Sequence, residues 1–223
     1  AEATHDGDRA AAAALVVRGL SGTWAPALVV LCERALAVLG DTDSGAHARV
    51  LAQYAFLLAE TGDRPRAETI SRDAMAMAER SGRPEALVAA VHARHEVIEP
   101  GDHIDEVLAL ADRSCALARD SGRPDAELWG RTWRLDALLM TGDMPAFDAE
   151  LQRLTVLADR LGWPVARYHL LRALAARELL AGRFAAADAY AVEARELGLR
   201  AQDESAFWLY LAVAGAIAVH TGE

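Results

Sequence analysis

Lysine and asparagine are absent from this sequence, so every strongly basic side chain is an arginine. Without lysine the chain offers no amine for a Schiff base and no phosphate-gripping lysine of a P-loop. The same bias, with alanine abundant, reads as coding from a GC-rich bacterial genome. Cysteine is nearly missing too. Cys32 and Cys115 lie far apart in helix-like stretches, which fits a reducing, cytoplasmic setting and gives no disulfide framework. Positive charge is short: the formal charge is −10 and the pI is near 5.2. Phosphate backbones and anionic lipid are both held by clustered Lys and Arg, so no direct nucleic-acid contact and no membrane binding are expected. No apolar run of about eighteen residues is free of charge, so no membrane span is expected. The start, Ala1-Glu2-Ala3-Thr4-His5-Asp6, has neither the basic residues nor the apolar segment of a signal peptide. Sustained apolar–polar alternation is also missing, which excludes strands as the main element.

What is present is a rhythm. Gly62, Gly82, Gly122, Gly142, Gly162 and Gly182 fall at twenty-residue steps or multiples of them, with Gly22 and Gly222 in phase and Gly101 one residue off. Glycine ends helices because it takes the left-handed conformation without steric penalty. Helix-starting chemistry follows it: Ser81-Gly82-Arg83-Pro84-Glu85 recurs as Ser121-Gly122-Arg123-Pro124-Asp125, and loosely as Leu161-Gly162-Trp163-Pro164-Val165. Proline suits the first helical turn and an acid suits the dipole there. A second mark alternates with the first: Thr61-Gly62-Asp63, Thr141-Gly142-Asp143 and Thr221-Gly222-Glu223. Between the marks, apolar residues recur at three and four, as in Leu51, Tyr54, Ala55 and Leu58. The pattern predicts helices at 8–19, 24–39, 44–60, 65–80, 84–99, 104–120, 124–140, 145–161, 164–181, 184–197 and 202–221. Short turns make consecutive helices antiparallel. Each hairpin is too thin to bury its own apolar faces, so neighbours must stack.

The expected fold is therefore all-α: one right-handed superhelical stack of antiparallel helical hairpins over 1–223. The hairpins fall at roughly 8–40, 44–81, 84–121, 124–161 and 164–198, with an unpaired helix at 202–221. Around Gly62 stand Leu51, Tyr54, Ala55 and Leu58, then Ala67 and Ala74; around Gly182 stand Leu171, Leu174 and Ala175, then Ala187, Tyr190 and Ala194. This arrangement resembles the tetratricopeptide pattern, with a unit of forty residues in place of about thirty-four. Phe147 and Leu154 replace the two alanines after Gly142, so the middle repeats depart from that pattern. The start without Met and the stop inside a hairpin give the expectation that this is a piece of a longer chain.

Stretches such as Leu57-Leu58-Ala59-Glu60-Thr61-Gly62-Asp63, Leu138-Leu139-Met140-Thr141-Gly142-Asp143 and Glu178-Leu179-Leu180-Ala181-Gly182-Arg183-Phe184 resemble one family region. It is the helical-repeat part of large bacterial ATP-binding transcriptional regulators of the LuxR type, the group of the maltose-regulon activator. That resemblance implies an ATPase module before such a region and a helix-turn-helix after it. It further implies a sensor role, binding a small effector or a protein partner. A freestanding peptide-binding or assembly adaptor is the rival reading.

The densest polar constellation is His92, His95, Glu96, Glu99 and His103. His95-Glu96-Val97-Ile98-Glu99 falls one histidine short of the zinc-protease motif, and zinc needs three or four converging ligands. The plain reading is a solvated helix face. Trp129 and Trp133 stand one turn apart beside Arg131 and Arg134. They read as core packing for one indole and partial exposure for the other, or as a stacking wall for a ligand. Tetratricopeptide geometry puts the first helix of each hairpin on the concave surface, which would place Arg49, Phe56, His95, Trp129, Asp136, His169 and Arg172 on a binding face. Arginines there could clamp a carboxylate or phosphate. No G-x-S-x-G, C-x-x-C or glycine-rich phosphate loop occurs. The chain is thus expected to be non-catalytic and without cofactor. Pairing of exposed stack ends into a homodimer is compatible with this pattern.

Overall fold

The computed structural model describes residues 2–15, 24–40, 43–200 and 205–222. Among them every regular element is helical: α1 (Glu2–Leu15), α2 (Ala25–Leu39), α3 (Gly45–Glu60), α4 (Arg64–Ser81), α5 (Pro84–Val97), α6 (Ile104–Ser121), α7 (Pro124–Thr141), α8 (Met144–Leu161), α9 (Pro164–Leu180), α10 (Phe184–Arg200) and α11 (Ser205–Thr221), with a 3₁₀ turn over Pro100–Asp102. Residues 1–130 and 131–223 each pack as a compact unit. In the first, α3 packs on α4 and also lies beside α5; in the second, α9 packs on α10 and also lies beside α11. The all-α stack of hairpins expected from the sequence is what forms.

The turn marks work as their chemistry requires. At Thr61-Gly62-Asp63 the threonine hydroxyl donates to the Leu57 carbonyl at 2.9 Å, and Gly62 takes φ +89°. Asp63 then accepts from the Arg66 backbone N–H at 3.4 Å, capping α4. Thr61 also reaches the Leu58 carbonyl at 3.2 Å, and Thr141 and Asp143 repeat that bond and the cap, to Leu138 at 3.1 Å and from Ala146 at 3.1 Å. Each hydroxyl and carboxylate satisfies backbone groups that a helix end leaves unpaired.

Boundaries differ from expectation in places. α1 begins before residue 8, because its first residues carry no apolar period to signal a helix. The expected stretches 16–19 and 202–204, and Gly22, lie outside the described residues. α5 stops at Val97 with Ile98 extended at ψ 148°; Pro100 supplies no N–H and biases the chain before it away from helix. α10 runs through Gly198 to Arg200.

Gly198 is helical for a packing reason. On α4, positions 67, 71, 74 and 78 form one buried stripe, and the residues forty, eighty and one hundred and twenty further on are buried as well. This row, at spacings of four, three and four, also meets the first helix of the following hairpin, as where Ser114 donates to the Ala126 carbonyl of α7 at 2.8 Å. Gly198 holds the last place in the row, where an added Cβ would lie 2.2 Å from the Ala206 Cβ. In α7, Gly130 plays the same part: a Cβ would lie 2.7 Å from the Ala111 carbonyl oxygen and 2.8 Å from the Cys115 sulfur. Both cysteines are buried and neither is in a disulfide, and burial pushes the Cys32 thiol up to about 12.

Two buried charges tie helices together. Arg94 of α5, only 6% exposed, donates to both oxygens of Glu106 on α6 at 2.6 and 3.0 Å. It also donates to Glu68 at 2.6 Å and to Ser71 at 3.2 Å, both on α4. In the second unit the fully buried Glu150 accepts from Arg131 and Arg153, each at 2.8 Å, with Arg134 at 3.5 Å. Burial raises the Glu150 carboxyl, but the arginine hydrogen bonds outweigh it and the group stays below 4.5. By contrast α11 has an open apolar side, with Trp208 68% exposed. Among the described residues no helix is long and apolar enough to cross a membrane.

Gly130→Ala should destabilise by about 1–3 kcal/mol, because a methyl is forced into filled space. Gly215→Ala, whose Cβ would meet nothing within 4 Å, should stabilise by up to about 1 kcal/mol through helix propensity. Urea denaturation followed by circular dichroism reads both signs, and equal signs would refute this packing account. Arg94→Met should cost about 2–3 kcal/mol, since carboxylates are left beside a dry core. Hydrogen bonds from Arg94 hold the Glu106 carboxyl below its ordinary 4.5. That contribution is complete above about pH 4.5 and is lost as pH falls through the lowered value. The variant should therefore unfold less steeply in acid than the parent chain.

Candidate functional site

The first helices of successive hairpins present a second stripe, on a different face from the packing row. On α3 it comprises Arg49, Ala52, Gln53 and Phe56, spaced at three, one and three. On α5 the same register gives Ala89, His92 and Ala93, joined by Glu85 and Val88, and on α7 it gives Trp129, joined by Asp125. With Arg123 from the turn before α7 and Leu15 from α1, these side chains enclose a cleft of about 350 Å³ within the first unit. Arg49, Ala89 and Trp129 occupy one repeat position, forty residues apart. Three chemistries therefore sit side by side in one slot.

Trp129 and His92 form the aromatic part of the wall, with ring centroids 5.1 Å apart and planes inclined by 44°. Among the lining residues, Arg123 and Asp125 take up each other's forks, with Nε–Oδ1 at 2.9 Å and Nη2–Oδ2 at 2.5 Å. That pairing holds the Asp125 carboxyl below its ordinary value and raises Arg123. Crowding by the cleft walls lowers His92 from 6.5, and Glu96, at 3.9 Å, opposes the shift without cancelling it. Water still reaches 37% of the His92 side chain, so the ring is hemmed in and not sealed. Around neutral pH it is uncharged.

Of the residues expected on a binding face, Arg49, Phe56 and Trp129 line this cleft. His95 does not. It stands in register with the buried Ala55, Leu135 and Ala175, is 15% exposed, and meets Glu96 through Nδ1 at 3.0 Å. Asp136, His169 and Arg172 belong to the second unit. There Arg172 grips Asp136 with two bonds of 2.9 Å, and His169 stands edge-on to Tyr168. Trp133 is buried at 3% exposure, while its neighbours Arg131 and Arg134 turn to Glu150. The histidine–glutamate constellation splits: His92 and His95 both approach Glu96, but Glu99 pairs with Arg64 at 3.1 Å, and His103 precedes α6 as its N-cap residue. Among the described residues no three His, Cys, Asp or Glu side chains converge as a metal ion would require.

Sequence reasoning missed Gln53, Glu85, His92, Arg123 and Asp125 as members of the cleft. The forty-residue register carried the signal. Once position 49 is taken to face a groove, positions 52, 53, 85, 89, 92 and 125 follow from helical spacing.

His92 binds its proton less readily in the folded chain than in the unfolded one. Its contribution to stability is complete above about pH 6.5 and falls as pH drops through the lowered value. A proton NMR titration of the His92 ring should give a midpoint below 6.5. His92→Gln should flatten the stability–pH curve in that window, and a midpoint at or above 6.5 would contradict the crowding.

No family model and no curated protein matches this chain, so its functional reading rests on the chemistry of the cleft.

Proposed function

We propose that this chain is the non-catalytic helical-repeat binding region of a bacterial transcriptional regulator. It takes a small effector or a protein partner in the cleft of α3, α5 and α7, and relays occupancy to ATPase and DNA-binding modules. The observation that carries the reading is the cleft itself. Its volume of about 350 Å³ lies within the roughly 300–1,000 Å³ of small-molecule sites. Alanines and aromatic rings line it together with a few charged groups, which is the usual division between affinity and orientation. The Arg123–Asp125 pair is already hydrogen-bonded, an arrangement suited to holding shape more than to moving protons. The likeness of the Thr-Gly-Asp stretches to the repeat region of LuxR-type regulators supports the regulatory part.

The test is a transcriptional reporter driven by the reading frame that encodes this chain. The frame is expected to hold a P-loop before the repeats and a helix-turn-helix after them. Phe56→Ala with Trp129→Ala should cut the effector response about ten-fold or more, as loss of central aromatic contacts does, at unchanged helix content. A frame with neither module would favour an adaptor and defeat the regulator reading. A response indifferent to both substitutions would defeat the cleft.

A further inference from the structure

The cleft's shape and charge narrow the class of molecule it takes, and this step rests on the proposal that the cleft is the binding site. We infer that it is built for an uncharged, flat aromatic small molecule of a few fused rings with hydroxyl or amide groups at its edge.

Three of the lining side chains, Ala52, Ala89 and Ala93, are small and leave room between the larger ones. The rings that bound it are Phe56 from α3, His92 from α5 and Trp129 from α7. Aromatic faces attract other rings in offset or tilted stacks, and the 44° inclination of His92 to Trp129 already shows that preference. A flat ligand can lie against such a surface with little loss of conformational freedom, having few torsions to fix. The volume is at the small end for such sites, which suits a compact fused ring.

Charge decides the rest. The lining carries two guanidinium groups, Arg49 and Arg123, and two carboxylates, Glu85 and Asp125, which sum to zero. Arg123 and Asp125 are committed to each other, and His92 is uncharged near neutrality. An anion or a cation entering this cleft would lose hydration and meet no net opposite charge. A neutral ring gives up little hydration. Its edge groups can exchange hydrogen bonds with Gln53, which both donates and accepts.

The test is a set of probes sharing one ring system: 2-naphthol, 2-naphthoate and 2-naphthylmethylamine. They are titrated into the full chain at pH 7.5 by calorimetry and saturation-transfer NMR. Naphthol should saturate a single site, and the anion and cation should bind about ten-fold more weakly or worse. Trp129→Leu should weaken naphthol about ten-fold. Ala89→Leu, which keeps every wall aromatic and a strong helix former, should fill the space beside the rings and abolish binding. Trp208→Leu, on the open side of α11 in the other unit, should change nothing. The inference is overturned if naphthol fails to bind at millimolar concentration, or if either charged probe binds as tightly. It is also overturned if Trp129→Leu and Ala89→Leu both bind normally, or if a tryptophan-containing decapeptide binds where the free ring does not. In any of these cases a reporter still sensitive to Phe56 and Trp129 would leave the cleft standing as a binding site and remove only the ligand class.

Discussion

Two helices can approach only as closely as the side chains between them allow, and the hairpins of this chain depend on that distance. The stripe at positions 67, 71, 74 and 78 and its successors is populated largely by alanine, serine and glycine. Where the row is bulky, as at Phe147, Leu151 and Leu154 on α8, those residues are buried too. Gly130 and Gly198 mark the tightest approaches, where even a methyl group has no room. Dispersion and the removal of apolar surface from water then act over a close contact repeated along the chain.

Alanine-rich packing gives attraction without much direction, because many rotations of one helix on another bury similar area. The buried charges add the direction. Arg94 has three partners on two helices, and those bonds form together in one relative setting of α4, α5 and α6. Glu150 does the same with arginines of α7 and α8. Desolvating such groups costs as much as their pairing returns, so their main effect is to select one arrangement. With lysine absent, each of these cations is a planar fork that can satisfy two oxygens at once.

The turns were legible because they are local. A glycine at a helix end, a proline one residue into the next helix and a capping aspartate each answer to backbone geometry within a few residues. Burial of charge was not legible. Arg94 lies in the polar run Val91-His92-Ala93-Arg94-His95-Glu96, which reads as a solvated face, and its partners lie up to 26 residues away. The pairing of Arg172 with Asp136 spans 36 residues and is invisible to spacing rules. Only about 60° around the axis of α5 separates His92 in the cleft from His95 against the hairpin interior. The rotation of α5 decides between them, and packing sets that rotation.

Arg49, Ala89 and Trp129 share a slot that the packing row does not touch. Duplicating a hairpin copies the scaffold and the slot together, yet only the scaffold residue must be kept. Each repeat thus hands on one letter free to be rewritten, and a new binding preference can be spelled by substitution at that slot while the fold is inherited unchanged. Selectivity and stability can drift apart in this chain because different helices of each hairpin carry them.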